Sequence, residues 1–233
     1  MKRLIAALAA AGMLGLAAIY GLSAPNAAPP PQSTVVVTPA VISLPETIDK
    51  GCRNGRAKLY DECGDQIALF EAARKRAAEE NRILLVSYGA EWCIWCHVFK
   101  AYVRGEKDKF TYTYGSPQEV EKRYTATMLE RAKSDATADA AALRKLAAES
   151  FVVVHIDHQY GPNGRAVLRQ AGALAHDTGG LPFIFAVDAT GRFAALFDHD
   201  RVELRRDTAD WYRGYDRVRL MAMLMEMQKA ARK

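Results

Sequence analysis

An α/β fold, a central mixed β-sheet flanked by helices and carrying a helical insertion, is what this sequence predicts. Three observations lead there. Apolar residues recur at helical spacing over 65–80, 163–176 and 208–233. Short, nearly continuous apolar runs separate them at 82–88 and 151–160. A further pair of runs, "LPFIFAVD" and "RFAALFD", is joined by "ATG", with Gly191 at the turn of a hairpin. Such alternation buries a sheet between helical layers.

The chain has 233 residues, 50% hydrophobic and 25% charged, which suits one globular domain with a core. Of the net charge of +5, Lys2 and Arg3 supply two units; the remaining +3 is dispersed, with no interleaved Arg and aromatic residues. That pattern argues against a nucleic-acid partner. Residues 1–24 carry a short basic head and an apolar run over 4–22, which reads as an export signal or an uncleaved membrane anchor. Either version puts the remainder outside the cytoplasm, in the periplasm or beyond. Residues 25–46 are Pro-rich and read as an extended linker, with "STVVVT" as a short strand within it, and the domain is expected over 47–233.

Within the domain, Ile67, Phe70, Ala73 and Ala77 define the first helix, with Asp65 at its start. The run 82–88 reads as a strand covered on both faces. Val98, Tyr102 and then Gly105 mark a helix that begins at Cys93 and stops at the glycine. Residues 106–150 are charged and Ala-rich; Pro117 followed by Val120, Tyr124 and Met128 predicts an insertion of one or two helices that could serve as a lid. A strand at 151–160 follows, then a helix with Val167, Leu168 and Ala171 inward. After the hairpin, the last helix is expected to turn Trp211, Tyr215, Val218 and Met225 toward the core.

Four cysteines, Cys52, Cys63, Cys93 and Cys96, in an exported chain must pair, bind metal or do redox chemistry. Pairing by proximity gives Cys52–Cys63 and Cys93–Cys96. A cysteine at the mouth of a helix faces unpaired N–H groups and the positive end of the helix dipole, which favour its thiolate. Cys93 holds that position, and Cys96 lies one turn on, where it can attack a mixed disulfide formed at Cys93.

The segment "ILLVSYGAEWCIWCHVFK" resembles the active-site region of thioredoxin-like proteins, and "GGLPFIFAVDATGRF" resembles their Gly-x-Pro segment, strand, turn and strand. The resemblance covers roughly 65–105 and 151–231. It implies a thioredoxin-like fold and a thiol–disulfide oxidoreductase acting on protein thiols or disulfides together with a redox partner protein. It also implies a cis peptide at Leu181–Pro182 that shapes the substrate groove. Two departures stand out. Where thioredoxins carry a buried Asp before the motif, this chain has Ser87, which cannot serve as that base. Glu91 is nearby and, with Trp92, is a second-rank candidate for substrate binding or tuning, but it is expected to face solvent. The residues between the cysteines, Ile94 and Trp95, are bulky and apolar, as in exported branches of the superfamily.

Other readings compete. Cys93-Ile94-Trp95-Cys96-His97 also matches a c-type haem attachment site, although the buried strand before it and the hairpin after it have no place in a small helical cytochrome. A thioredoxin fold that retains its cysteines only for structure and binding is the third reading. Cys52 and Cys63 are read as a structural disulfide, against a second redox pair or a zinc site made with Cys93 and Cys96. His97 is read as a partly exposed residue that tunes the thiols. Trp92 and Trp95 are read as packing residues that also form an apolar rim for substrate. His155, Asp157 and His158 do not all face one way on a strand, so core and rim roles fit them better than metal. Met221, Met223, Met225 and Met227 lie two apart on a helix, about 200° from each other, and cannot converge on copper. No cofactor or metal is therefore expected.

Overall fold

The computed structural model describes residues 39–106, 110–114, 122–126, 136–204 and 214–233. In chain order its elements are β1 (Ile42–Leu44), α1 (Gln66–Glu79), β2 (Ile83–Gly89), α2 (Ile94–Val103), β3 (Phe110–Tyr114), β4 (Lys122–Ala126) and α3 (Ala136–Ser150). They continue with β5 (Phe151–Asp157), α4 (Gly164–Ala171), β6 (Phe183–Val187), β7 (Phe193–Leu196), α5 (His199–Val202) and α6 (Arg217–Ala231). Five strands form one sheet in the order β1-β5-β2-β6-β7, and β3 pairs with β4 separately.

The sheet is mixed because β2 pairs parallel to β5 and antiparallel to β6. Every residue of β2, β5 and β6 is buried, as their continuous apolar runs require. Alternate residues serve two cores. Leu85, Val153 and Ile184 face Phe99 and Tyr102 of α2, Leu143 of α3, and Leu224 and Met227 of α6. Leu84, Val152 and Phe185 face Phe70 and Ala73 of α1 and Leu168 of α4. One consequence places the site: β6 runs against β2, so the chain enters β6 at the end of the sheet where it leaves β2 and β5.

Local signals explain the helix ends. The Asp65 side chain accepts from Ala68 N–H and opens α1. Beyond α2, Gly105 takes φ +74°, and a Cβ there would lie 2.8 Å from the Ala140 carbonyl oxygen of α3. The β6–β7 hairpin forms as expected, with Gly191 at φ 83° and Asp188 Oδ1 accepting from Thr190 and Arg192 N–H.

Three expectations need correction. The stretch assigned to the linker contributes β1, which pairs parallel to β5 from Ile42↔Val152 to Leu44↔Val154, so the sheet begins before residue 47. The "STVVVT" strand, residues 1–24 and Pro117 lie outside the described residues. The insertion is not purely helical: Tyr124, placed on a helix by its spacing, pairs with Tyr112 in the β3–β4 hairpin. Its second half is α3, an integral core helix with Ala140, Leu143 and Ala147 buried. The last helix starts later than expected, at Arg217, where the Asp216 side chain accepts from Val218 and Arg219 N–H. Val218 and Met225 are consequently 56% and 57% exposed, and the core seam is Leu220, Met223, Leu224 and Met227. Tyr215 is buried as expected but precedes the helix, and Trp211 lies outside the described residues.

Candidate active site

The exit of β2 turns through Ala90, Glu91 and Trp92 into α2, whose N-cap is Cys93. Cys93 Sγ accepts the Cys96 N–H at 3.3 Å. That donor is aimed at the sulfur that must carry negative charge to act as a nucleophile. Both cysteines are free thiols; Cys93 is 5% exposed and Cys96 is 0% exposed, so an incoming group meets Cys93 first. Burial, with the adjoining Cys93, pushes the Cys96 thiol well above its ordinary pKa.

The loop into β6 reaches the same place. Leu181–Pro182 is a cis peptide, as the family resemblance implies, and Leu181 packs on a cluster of Leu59, Tyr60, Ala90, Cys93 and Cys96. His199 Nε2–H donates to the Pro182 carbonyl at 2.8 Å, while its Nδ1 lies 3.4 Å from Glu203. The loop after β5 supplies a third side. Asp157 Oδ2 accepts from the N–H groups of Gln159, Tyr160 and Gly161, and Gln159 Oε1 accepts from Trp92 Nε1–H at 2.6 Å.

A fourth side comes from upstream. Cys52 and Cys63 are joined in a disulfide, as expected, which removes them from any zinc site shared with Cys93 and Cys96. The loop they close contains Leu59 and Tyr60, which lie against Cys93 and Cys96. Glu91 holds this loop: its Oε2 accepts from Leu59 N–H at 2.8 Å and Tyr60 N–H at 3.0 Å. The expectation that Glu91 faces solvent is therefore wrong; it is 4% exposed, and burial raises its pKa against the opposing effect of those N–H groups. Its partners lie 31 and 32 residues upstream, so nothing near Glu91 in the sequence signalled them.

His97 also differs from expectation. It is 8% exposed, its Nε2–H donates to the Glu91 carbonyl at 2.8 Å, and burial lowers its pKa to about 4. A neutral, enclosed imidazole supports the turn and does not lend positive charge to a thiolate. The same geometry does not fit c-type haem attachment. Thioether formation needs both sulfurs and the His97 ring turned to one porphyrin, but Cys96 is enclosed and His97 Nε2 is engaged by Glu91. Trp95 stacks at a tilt on Tyr215, with centroids 5.3 Å apart, and Trp92 borders the cysteine cluster, so both pack around the motif. His155 is a core residue, with Nε2 3.1 Å from Ser43 Oγ and a pKa lowered by burial to about 3.

Tyr60 went unnoticed in the sequence. It is 0% exposed, and its hydroxyl lies 3.1 Å from Ser87 Oγ. A Cβ on Gly89 would lie 2.4 Å from that hydroxyl and 2.5 Å from Cys96 Sγ, so the two are close neighbours. The only hint was its position between two cysteines.

No protein-family model and no curated protein matches the sequence. Among solved structures, the C-terminal domain of Neisseria meningitidis DsbD in its oxidised form is similar with a TM-score of 0.34 and 15% identity, over 70% of this chain and 97% of that one. A likeness that distant leaves the chemistry to be argued from the sulfurs and their surroundings.

Proposed function

We propose that this chain is an exported thiol–disulfide oxidoreductase that uses Cys93 and Cys96 on protein substrates, in exchange with a redox partner protein. The observation that carries the reading is Cys93 at the α2 cap, accepting the Cys96 N–H, in the cluster on which Leu181 of the cis-proline loop packs. In the reductive direction, the Cys93 thiolate attacks a substrate disulfide and one substrate sulfur leaves. Cys96 then attacks Cys93 Sγ, the second substrate sulfur leaves, and two electrons have passed from the protein dithiol to the substrate. The oxidative direction reverses both steps. Leu181, Trp92 and Trp95 supply the apolar surround for a substrate chain.

Purified protein should exchange disulfides with a disulfide-bonded peptide, and Cys93→Ser should reduce the rate to background. Activity that survives in that variant sinks the proposal. Export rests on the basic head and apolar run of 1–24, with 4–22 available as a membrane tether. Among the described residues no helix is long and apolar enough to cross a membrane. A reporter fused after residue 46 should be recovered outside the cytoplasm; recovery inside it rejects export.

A further inference from the structure

We propose that Tyr60, carried by the disulfide-closed loop, is a catalytic residue that donates a hydrogen bond to the Cys96 sulfur during resolution, in place of an acid on β2. The inference rests on the redox reading above and assigns a group to its second step.

The strand position where a buried acid would serve Cys96 is Ser87, fully buried, with Oγ 3.1 Å from the Tyr60 hydroxyl. A serine hydroxyl is too weak a base to take the proton, but it can donate its own to Tyr60 Oη. The tyrosine proton is then free to point at the sulfur. Gly89 makes the meeting possible. A Cβ at this residue would come 2.4 Å from Tyr60 Oη and 2.5 Å from Cys96 Sγ, so any side chain would displace one of them. Burial and the neighbouring thiols hold the Tyr60 hydroxyl well above its ordinary pKa, so it acts as a donor and not as a base.

Atoms balance as follows. In the mixed disulfide, Cys93 Sγ is bonded to a substrate sulfur. Cys96 loses its proton and attacks Cys93 Sγ, forming the Cys93–Cys96 bond. The bond to substrate breaks, and the departing substrate sulfur takes the electron pair and the proton that left Cys96. Tyr60 keeps its own proton throughout. Its hydrogen bond lets negative charge form on a sulfur that no water reaches.

The test uses the reduced full chain and dithiobis(nitrobenzoate), which releases one coloured thiolate when Cys93 attacks and a second when Cys96 resolves. Tyr60→Phe keeps the ring and removes the donor. The second release should slow about 10-fold or more, the scale of a lost hydrogen bond to a charged group, with the first release unchanged. Ser87→Ala, which leaves the Tyr60 ring in place, should slow the second release by a smaller factor. An unchanged second release in either folded variant, or equal slowing of both releases, overturns the role of Tyr60 and leaves the redox reading standing. If the parent protein releases neither thiolate, the redox reading itself fails.

Discussion

At the scale of single residues, the turn before Cys93 is held by groups that look unsuited to burial. Glu91 and His97 are adjacent in space and enclosed, yet they bond through backbone: the carboxylate to two N–H groups, the imidazole to a carbonyl. That arrangement gives His97 a measurable signature. Its folded pKa of about 4 lies below the ordinary 6.5, so the unfolded chain binds a proton that the folded chain refuses. The stability linked to His97 is complete above pH 6.5 and is lost as the pH falls toward about 4. Glu62 works the other way, since burial and the nearby Asp157 raise its pKa from 4.5 to about 7 and stability falls as pH rises between those values. His97→Gln should therefore lose less stability than the parent on acidification through that window, measured by denaturant unfolding at several pH values. A parallel decline in both proteins would show that His97 is not the group responsible. Cys93 and Cys96 could be singled out because they share one short motif, and Leu181–Pro182 because it opens a second recognisable segment. The burial of Glu91 and the place of Tyr60 were not legible, because their partners come from segments far apart in the chain.

At the scale of elements, α1 and α2 were readable because apolar spacing and end signals agreed, Asp65 at one start and Gly105 at the other stop. The last helix was assigned the wrong phase. Extended backbone at Tyr215, bridged to Glu203, interrupts the count, and the helix restarts from the Asp216 cap. The corrected seam makes a paired prediction. Leu224→Ala should cost about 2–5 kcal/mol by leaving a cavity in a closed core. Met225→Lys, one position on and 57% exposed, should stay within about 0.5 kcal/mol of the parent. Chemical unfolding decides it, and a larger loss at Met225 would restore the earlier phase. The β3–β4 pair escaped notice because Tyr124 suits either period. The strand β1 was hidden by Pro39 and Pro45 on either side of a run that makes only three ladder positions.

At the scale of the whole molecule, four stretches distant in sequence meet where β2 ends: the Cys52–Cys63 loop, the α2 cap, the loop after β5 and the entry to β6. The first of these is closed by a covalent bond. Breaking it with Cys52→Ala and Cys63→Ala together should lower stability by about 2–3 kcal/mol on the chain-entropy estimate. Unfolding of the double variant under oxidising conditions measures the loss; no change would mean that Glu91 and the packing of Leu59 and Tyr60 hold the loop without the bond. The alternating order of helices and strands was enough to foresee a covered mixed sheet. It could not foresee that the upstream loop would close over the sulfurs, since no local pattern records that contact.

Because β6 runs antiparallel to β2, the Asp188–Gly191 turn sits at the pole opposite the thiols, roughly 17 Å away along five residues of strand. Ala189 is exposed there. A fluorophore or a surface-immobilising linker attached at Ala189 would leave Cys93 unobstructed, so the proposed disulfide exchange could be followed on a single anchored molecule.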